Sequence, residues 1–292
     1  MKIVVAGASG NIGYRVAQQL LDAGQTPVLL ARNAAKVAPL VARGAVLVEG
    51  SSDDAACVMA ATRDAEGLLW MTPPALDATS LKDWYARTSQ IACEAILTNG
   101  IARVVHVSAV GAGAAANLGT VSYSGDVEKA FAATKVNLVN LRPGYFMQNL
   151  AAHYASMKDD GLIRMAFAPD HDIPWISTDD IGDVAARYLL DTTWAGQWAR
   201  NLMGPENLSL QQIAAMASDI LGTPVRYEQA SPEELDTQFA QMGANALVRA
   251  QLAELLRALG DPDGVYATAR TPEAYTPTSM QAFLNAGLNA SR

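Results

Sequence analysis

The chain has 292 residues, of which half are apolar and 17% are charged, a composition typical of a globular enzyme and not of a disordered or fibrous protein. Its 29 acidic residues outnumber its 21 basic ones, so the formal net charge is −8, and neither sign forms a long block. Nucleic acid is therefore excluded from the expected partners, because binding to a phosphate backbone needs a concentrated basic surface.

The cysteines, Cys57 and Cys93, lack the spacing of a metal-binding pattern, so no metal site is predicted. The chain opens directly into an apolar strand at 2–6, without a basic leader or a cleavage site. No uncharged apolar run reaches the length of a membrane span. These features predict a cytoplasmic protein with reduced thiols and no membrane segment.

The first half of the chain alternates short β-branched runs with longer helical patterns, as βαβ units do. Strands are predicted at 2–6, 27–31, 45–49, 67–71, 103–107 and 137–142. Helices are predicted between them, at 11–23, 34–43, 53–62, 79–98 and 124–134. The strands are almost continuously apolar, which indicates that helices cover both faces of the sheet. The predicted fold is α/β, a Rossmann fold with a doubly wound parallel sheet.

After Pro143 the regular alternation stops. Helices are predicted at 145–158, 179–190, 209–221, 232–241 and 244–259, with extended pieces at 200–203 and 224–228. We therefore expect residues 1–150 to form an NAD(P)-binding Rossmann domain and residues 151–292 to form a smaller, mostly helical substrate lobe. No low-complexity linker separates the halves, so the two are expected to pack as one compact unit with a cleft between them.

A glycine-rich turn follows the first strand directly and leads into an amphipathic helix. Its pattern is G-x-x-G-x-x-G, in which glycines permit a tight turn, close backbone approach to a pyrophosphate, and close packing of helix on strand. Exposed N–H groups and the positive end of the helix dipole then stabilise the diphosphate. The predicted cofactor contacts in this turn are Gly7, Ser9, Gly10, Asn11, Ile12 and Gly13.

The second strand ends at Arg32, where a site for NAD(H) would usually carry an acidic residue that binds the ribose diol. Arg32 is suited instead to pair with a 2′-phosphate, and Lys36 one turn later adds positive charge. The alternative is a solvated arginine at the start of a helix. The sequence thus predicts NADP(H) in preference to NAD(H).

Further cofactor contacts are expected at the carboxyl ends of the strands, because open α/β sheets bind ligands there. The residues in these positions are also common turn formers, so an ordinary loop role is the alternative. The predicted contacts are Ser51, Ser52, Thr72, Pro73, Ser108 and Pro143.

The sequence resembles the NmrA-like branch of the atypical short-chain dehydrogenases/reductases over nearly its whole length. The matching segments are GASGNIG at 7–13, Arg32-Asn33, WMTPP at 70–74, VVHVSAVGA at 104–112, NLRPGYFMQN at 140–149 and IPWISTDDIGDVAA at 173–186. The resemblance implies an NADP(H) site and a small-molecule cleft under the C-terminal lobe. It does not imply one activity, because some members reduce flat conjugated acceptors and others sense NADP(H) with little or no turnover.

Many short-chain dehydrogenases use a Tyr-x-x-x-Lys pair, in which the lysine lowers the pKa of the tyrosine. Tyr154 and Lys158 have this spacing but follow the sixth strand instead of the fifth, which favours a coincidence on a helix surface. In the expected helix, Tyr123 has no lysine four residues later, and Ser124 stands where the family often has one. Tyr123 and Ser108 are the tentative catalytic residues, with helix capping as the alternative for Tyr123.

Aromatic and thioether side chains follow the sixth strand and suit a flat apolar ligand. The predicted substrate contacts are Tyr145, Phe146, Met147, Asn149 and Trp175, with a core seam between the lobes as the alternative. His106, inside an apolar strand, is expected to be a packed core residue.

The leading hypothesis is an NADPH-dependent oxidoreductase that transfers hydride to a small conjugated, largely apolar acceptor of the quinone, dye, enone or imine type. Such acceptors need no catalytic base, because the cofactor supplies the reactive atom and the protein supplies orientation. The alternative is a non-catalytic NADP(H)-sensing regulator with a protein partner. A sugar-nucleotide epimerase is less favoured, because its Tyr-x-x-x-Lys pair is missing from the required helix. A monomer or a homodimer is expected.

Overall fold

A computed structural model describes residues 1–72 and 75–290. Its strands are β1 Ile3–Ala6, β2 Val28–Ala31, β3 Val46–Glu49, β4 Gly67–Met71, β5 Arg103–Val107, β6 Asn137–Pro143, β7 Tyr145–Phe146, β8 Leu162–Met165, β9 Ile173–Ile176, β10 Gln197–Leu202, β11 Asn207–Leu208 and β12 Arg226–Gln229. Within the described residues, seven of them form one sheet in the order β10-β6-β5-β4-β1-β2-β3, and all its pairs are parallel. The strand order reverses beside β1, which is the topological switch point where such sheets bind ligands.

The α-helices flank this sheet on both faces and then continue into the second half of the chain. They are α1 Asn11–Asp22, α2 Ala34–Ala42, α3 Ala55–Thr62, α4 Leu81–Asn99, α5 Thr120–Ala133, α6 Tyr154–Asp159, α7 Thr178–Leu190, α8 Leu210–Leu221, α9 Pro232–Gln241, α10 Ala246–Gly260 and α11 Met280–Ala290. The apolar faces of α1, α2 and α7 share one core with the sheet, and those of α3, α4 and α5 share a second. The predicted Rossmann fold is confirmed.

The apolar strands explain this three-layer arrangement. Every residue of β1 and β2 is buried, because both faces of the sheet carry helices. The two edge strands, β3 and β10, instead consist mostly of partly exposed and exposed residues. Within the described parts of the chain, no helix has the length and apolar character of a bilayer-spanning segment.

The second half contains more β-structure than the sequence predicted. The helix expected at 145–158 is wrong: this stretch forms the short strand β7, a 3-10 segment over Met147–His153, and α6. Tyr145 and Phe146 leave the helical conformation because they pair with Trp175 and Ile176 of β9. Two small sheets, β11-β9-β7 and β12-β8, therefore accompany the helices of this lobe.

Two segments from the second half of the chain, β10 and α7, pack with the sheet and helices of the first half. Strand β10 extends it beyond β6, pairing Gln197 with Leu138 at the start of the ladder. Helix α7 packs on α1, where a Cβ on Gly182 would lie 2.6 Å from Arg15 Cγ. Arg15 also forms a 2.7 Å ion pair with Asp183. The division of the chain at residue 150 stays a prediction. Strand β10 and helix α7 come after residue 150 in the sequence, but both pack on elements from the first 150 residues.

Candidate cofactor and substrate site

The glycine-rich turn reverses the chain between β1 and α1. Gly7 has a positive φ of 71°, a conformation that favours glycine. Its N–H and that of Ala8 donate to the Leu30 carbonyl at 3.2 and 3.3 Å, which ties the turn to β2. Gly10 precedes α1, and no side chain among the described residues caps this end of the helix. The first N–H groups of α1 therefore have no intrahelical acceptor and suit an anion.

The third glycine of the motif is required by close packing. A Cβ on Gly13 would lie 2.5 Å from the Gly7 carbonyl oxygen and 3.0 Å from Ala8 Cα. No real Cβ tolerates contacts this short with backbone atoms, so any larger residue would push α1 away from the turn. The turn thus has the cradle geometry that a pyrophosphate needs.

A cleft of about 580 Å³ opens beside this turn, between the N-terminal ends of α1 and α7. Its wall includes the predicted contacts Ser9, Gly10, Asn11 and Lys36. Sequence reasoning missed several other lining residues. Those on α1, just after the predicted turn, are Tyr14, Arg15 and Gln18. The others reach the cleft only through the tertiary fold, from the 3-10 segment and α7, and are Gln148, Ala151, Thr178 and Asp179.

Arg32 and Lys36 lie at the amino end of α2, where Asn33 accepts a 3.2 Å hydrogen bond from the Lys36 N–H. Both side chains are exposed, and among the described residues neither forms an ion pair. Two cations beside the turn, not neutralised by a carboxylate, suit a phosphate monoester. Their role at a 2′-phosphate stays a prediction.

The other predicted cofactor residues lie at the carboxyl edge of the sheet. Ser51 and Ser52 are half-buried after β3. Thr72 is buried after β4, and its Oγ1 lies 3.2 Å from Trp70 Nε1. Pro143 ends β6, and its carbonyl accepts from the Val110 N–H at 3.0 Å. Pro73 falls outside the described residues.

Ser108, at the end of β5, belongs to a buried polar network. Its Oγ lies 2.6 Å from Glu128 Oε1 on α5. Arg142 binds both carboxylate oxygens of Glu128, through Nε at 2.9 Å and Nη2 at 2.6 Å. Sequence reasoning missed Glu128 and Arg142, because nothing in their local pattern shows that α5 and β6 bring them to Ser108.

Tyr123 lies in a different environment from Ser108. Its ring packs edge-on against Tyr85 at 5.9 Å, within the side-chain clusters that join α4, α5 and α10. Burial raises the pKa of Tyr123, and a hydrogen bond to Gln251 opposes this effect. Tyr123 and Glu128 are five residues apart and so project from different sides of α5. The two tentative catalytic residues thus have different contacts, Ser108 with Glu128 and Tyr123 with Tyr85, and their roles stay predictions.

The Tyr154 and Lys158 pair belongs to the C-terminal lobe. Tyr154 packs on Phe283 at 6.3 Å, and a Cβ on Gly287 would lie 2.3 Å from its hydroxyl oxygen. Burial raises the pKa of Tyr154 to about 12, the opposite of what a proton donor working at neutral pH requires.

An aromatic cluster surrounds Tyr145 in β7, the short strand that follows β6. The Tyr145 ring meets Phe167, Trp175 and Tyr266 edge-on, at centroid distances of 5.3, 5.1 and 6.4 Å. Burial raises the pKa of Tyr145 to about 12, and a side-chain hydrogen bond to Asn149 opposes the rise. The structure thus brings the predicted contacts Tyr145 and Asn149 together.

The remaining predicted substrate residues are less accessible. Met147 is 1% exposed and Trp175 is 0% exposed, with the Trp175 indole donating to the Leu208 carbonyl at 2.8 Å. Phe146 is half-buried against the core that α1 and α7 share with the sheet. A ligand would reach Met147 or Trp175 only after rearrangement, so their contact with substrate stays a prediction. His106 is 1% exposed, as expected for a core residue.

Comparisons with known proteins agree with this architecture. The NAD(P)H azoreductase of Xenophilus azovorans is 28% identical over 261 residues, covering 89% of this chain and 88% of the relative. The (4-alkanoyl-5-oxo-2,5-dihydrofuran-3-yl)methyl phosphate reductase of Streptomyces griseus is 28% identical over 229 residues, covering 78% and 76%.

Solved structures share the fold along the whole chain. The NADPH-dependent quinone oxidoreductase QOR2 of Escherichia coli, complexed with NADPH, superposes with a TM-score of 0.80 at 21% identity, covering 99% of this chain and 100% of that one. The triphenylmethane reductase of Citrobacter sp., complexed with NADP(H), gives 0.79 at 18% identity with the same coverage. The NmrA-like family model matches residues 1–276. The protein therefore belongs to the NmrA-like family.

Proposed function

We propose that the protein is an NADPH-dependent oxidoreductase that transfers hydride to a small conjugated, largely apolar acceptor. The observation that carries this proposal is the turn at Gly7–Gly13, which presents an uncapped helix end at the switch point of the sheet. The names of the relatives, an azoreductase and a quinone oxidoreductase among them, support the same class of reaction.

The described residues fit NADP(H) along the carboxyl edge of the sheet. The turn and the first N–H groups of α1 would hold the diphosphate, and Arg32 with Lys36 would hold the 2′-phosphate. When bound, the nicotinamide supplies the hydride. The protein's part is to orient the two reactants.

The acceptor would lie over the aromatic cluster around Tyr145. The half-buried Tyr145 offers an aromatic face, and Asn149, which is exposed, offers an amide that orients a polar group. The Glu128 carboxylate, which contacts Ser108, is already bound by Arg142. Such a lining favours acceptors that need no strong proton donor, such as quinones and delocalised dyes.

The test is turnover of NADPH by the purified protein against a panel of quinones, azo and triphenylmethane dyes, enones and imines. We expect acceptor-dependent loss of the absorbance of the reduced nicotinamide with at least one class, and none without acceptor. The proposal would be wrong if NADPH bound but no acceptor was reduced.

The non-catalytic regulator remains a second candidate, and one observation favours it. Tyr123 is not followed by a lysine four residues later, so helix α5 lacks the Tyr-x-x-x-Lys pair of many short-chain dehydrogenases. NADPH binding without turnover, together with a protein complex that changes with the ratio of NADPH to NADP⁺, would support this function over the reductase.

A further inference from the structure

The Ser108 hydroxyl is held in one orientation by Glu128. Both Glu128 oxygens accept hydrogen bonds from the Arg142 guanidinium, which has donors only, so the pair is a bidentate arginine–carboxylate contact. A carboxylate cannot donate, so the Ser108 hydroxyl must be the donor across the 2.6 Å contact. Its hydrogen is thereby directed into the protein, and its lone pairs are left for other partners.

The network is built to resist reorientation. Ser108 and Glu128 are both 8% exposed, and a buried charge-assisted contact is stronger than one in water. The Ser108 N–H also donates to the Leu141 carbonyl at 2.7 Å, which fixes the backbone of Ser108 against β6. Turning the hydroxyl outward would leave Glu128 with one fewer donor in a buried position, which costs free energy.

The position of Ser108 decides which part of a dinucleotide it meets. Arg32 follows β2, on one side of β1, and Ser108 follows β5, on the other side. A dinucleotide that crosses the switch point with its adenosine phosphate at Arg32 has its nicotinamide on the side of β4, β5 and β6. The nicotinamide carboxamide carries both an N–H donor and a carbonyl acceptor. Because the Ser108 hydroxyl already donates its hydrogen to Glu128, its oxygen can only accept a hydrogen bond, from the carboxamide N–H.

We infer that Glu128, held by Arg142, sets Ser108 as a hydrogen-bond acceptor for the cofactor carboxamide N–H, an inference that rests on the proposed NADPH-binding function. Glu128 and Arg142 are then positioning residues. Ser108 is a cofactor-binding residue that does not donate a hydrogen bond to the acceptor being reduced.

This inference is tested without turnover by measuring, with calorimetric titration, the affinities of the protein for two oxidised cofactors. NADP⁺ carries the carboxamide, and its 3-acetylpyridine analogue keeps the carbonyl but lacks the N–H. We expect Ser108→Ala to weaken NADP⁺ roughly three- to tenfold, the effect of one hydrogen bond, and to leave the analogue unchanged. Ser89→Ala is the matched control, because Ser89 is equally buried and its hydroxyl bonds the backbone of its own helix, at Ala86.

Glu128→Gln tests the positioning role in a double-mutant cycle with Ser108→Ala. We expect it to reduce the preference for NADP⁺ over the analogue in the wild-type background and to have no effect on that preference when Ser108 is already alanine. If Glu128→Gln does not fold, the single Ser108→Ala comparison still decides the contact.

The outcomes separate this inference from the proposed function. Equal weakening of NADP⁺ and the analogue by Ser108→Ala would mean that Ser108 donates to the carbonyl, and an unchanged affinity for both would mean that it does not touch the carboxamide. Either result overturns the inference while NADP⁺ binding stands. Failure of the wild-type protein to bind NADP⁺ would overturn the proposed function as well.

Discussion

At the scale of single residues, the choice between the two pyridine nucleotides depends on Arg32. Arg32→Ala should weaken NADPH binding more than NADH binding by about 1–3 kcal/mol, because only NADPH carries the 2′-phosphate. Titration of both cofactors measures this difference. Arg63→Ala, which removes an exposed arginine at the end of α3, should leave both affinities unchanged. Equal losses for NADPH and NADH would remove the reason for the preference.

His106 makes stability depend on pH. Burial lowers its pKa from 6.5 to about 4, with the hydrogen bond to Asn140 opposing the change. Between these values the unfolded chain binds a proton that the folded protein does not, so the stabilisation present above pH 6.5 is lost as the pH falls. By about pH 5 the loss amounts to about 2 kcal/mol.

The variant His106→Gln isolates this effect, because glutamine can contact Asn140 but does not titrate. It should destabilise the protein at neutral pH, and the difference in free energy of unfolding between wild type and variant should shrink by about 2 kcal/mol near pH 5. Urea unfolding at the two pH values measures it. A difference that is the same at both would show that His106 does not control the acid sensitivity.

At the scale of elements, Gln251 joins α10 to the start of α4. Its Oε1 accepts from the Leu81 N–H at 2.7 Å, and its Nε2 donates to the Ser80 hydroxyl, the N-cap of α4, at 3.2 Å. The contact therefore ties the C-terminal lobe to the segment between β4 and α4, which borders the carboxyl edge of the sheet.

Gln251→Ala should lower the free energy of unfolding by about 1–3 kcal/mol, because it leaves a buried N–H group without its acceptor. Gln238→Ala, on an exposed position of α9, should change it by less than about 0.5 kcal/mol. Urea unfolding compares the two variants. Equal stability of both would show that the junction between α10 and α4 contributes nothing.

The elements that the sequence predicted well are those with a local cause. The apolar run of β1, the glycine turn and the amphipathic α1 follow from neighbouring residues, and the structure places them within a residue or two of the prediction. Strands β8 and β9 were missed, because they lie outside the regular βαβ alternation and each pairs with a partner distant in sequence. Strand formation here is a consequence of tertiary pairing.

The same limit applies to the site. Cofactor residues in the turn could be predicted, since the motif is contiguous. The contacts of Ser108 with Glu128 and Arg142, and those of Tyr145 with Tyr266, join distant parts of the chain and have no local signal. Burial has no local signal either: the aromatic character of Trp175 suggested a ligand contact, the fold buries its side chain completely, and the contact stays a prediction.

At the scale of the whole molecule, the proposed function requires that a dinucleotide binds at the carboxyl ends of the sheet strands. Calorimetric titration of NADPH into the wild-type protein, Gly13→Ala and Gly260→Ala tests this most directly. A Cβ at Gly13 would lie 2.5 Å from a backbone carbonyl oxygen, whereas one at Gly260 would lie 3.6 Å from the Phe167 ring, an ordinary contact.

We predict saturable NADPH binding by the wild-type protein and by Gly260→Ala, and binding that is weakened or lost in a Gly13→Ala protein that circular dichroism shows to be folded. Absence of binding to the wild-type protein, or undiminished binding to folded Gly13→Ala, would contradict the account.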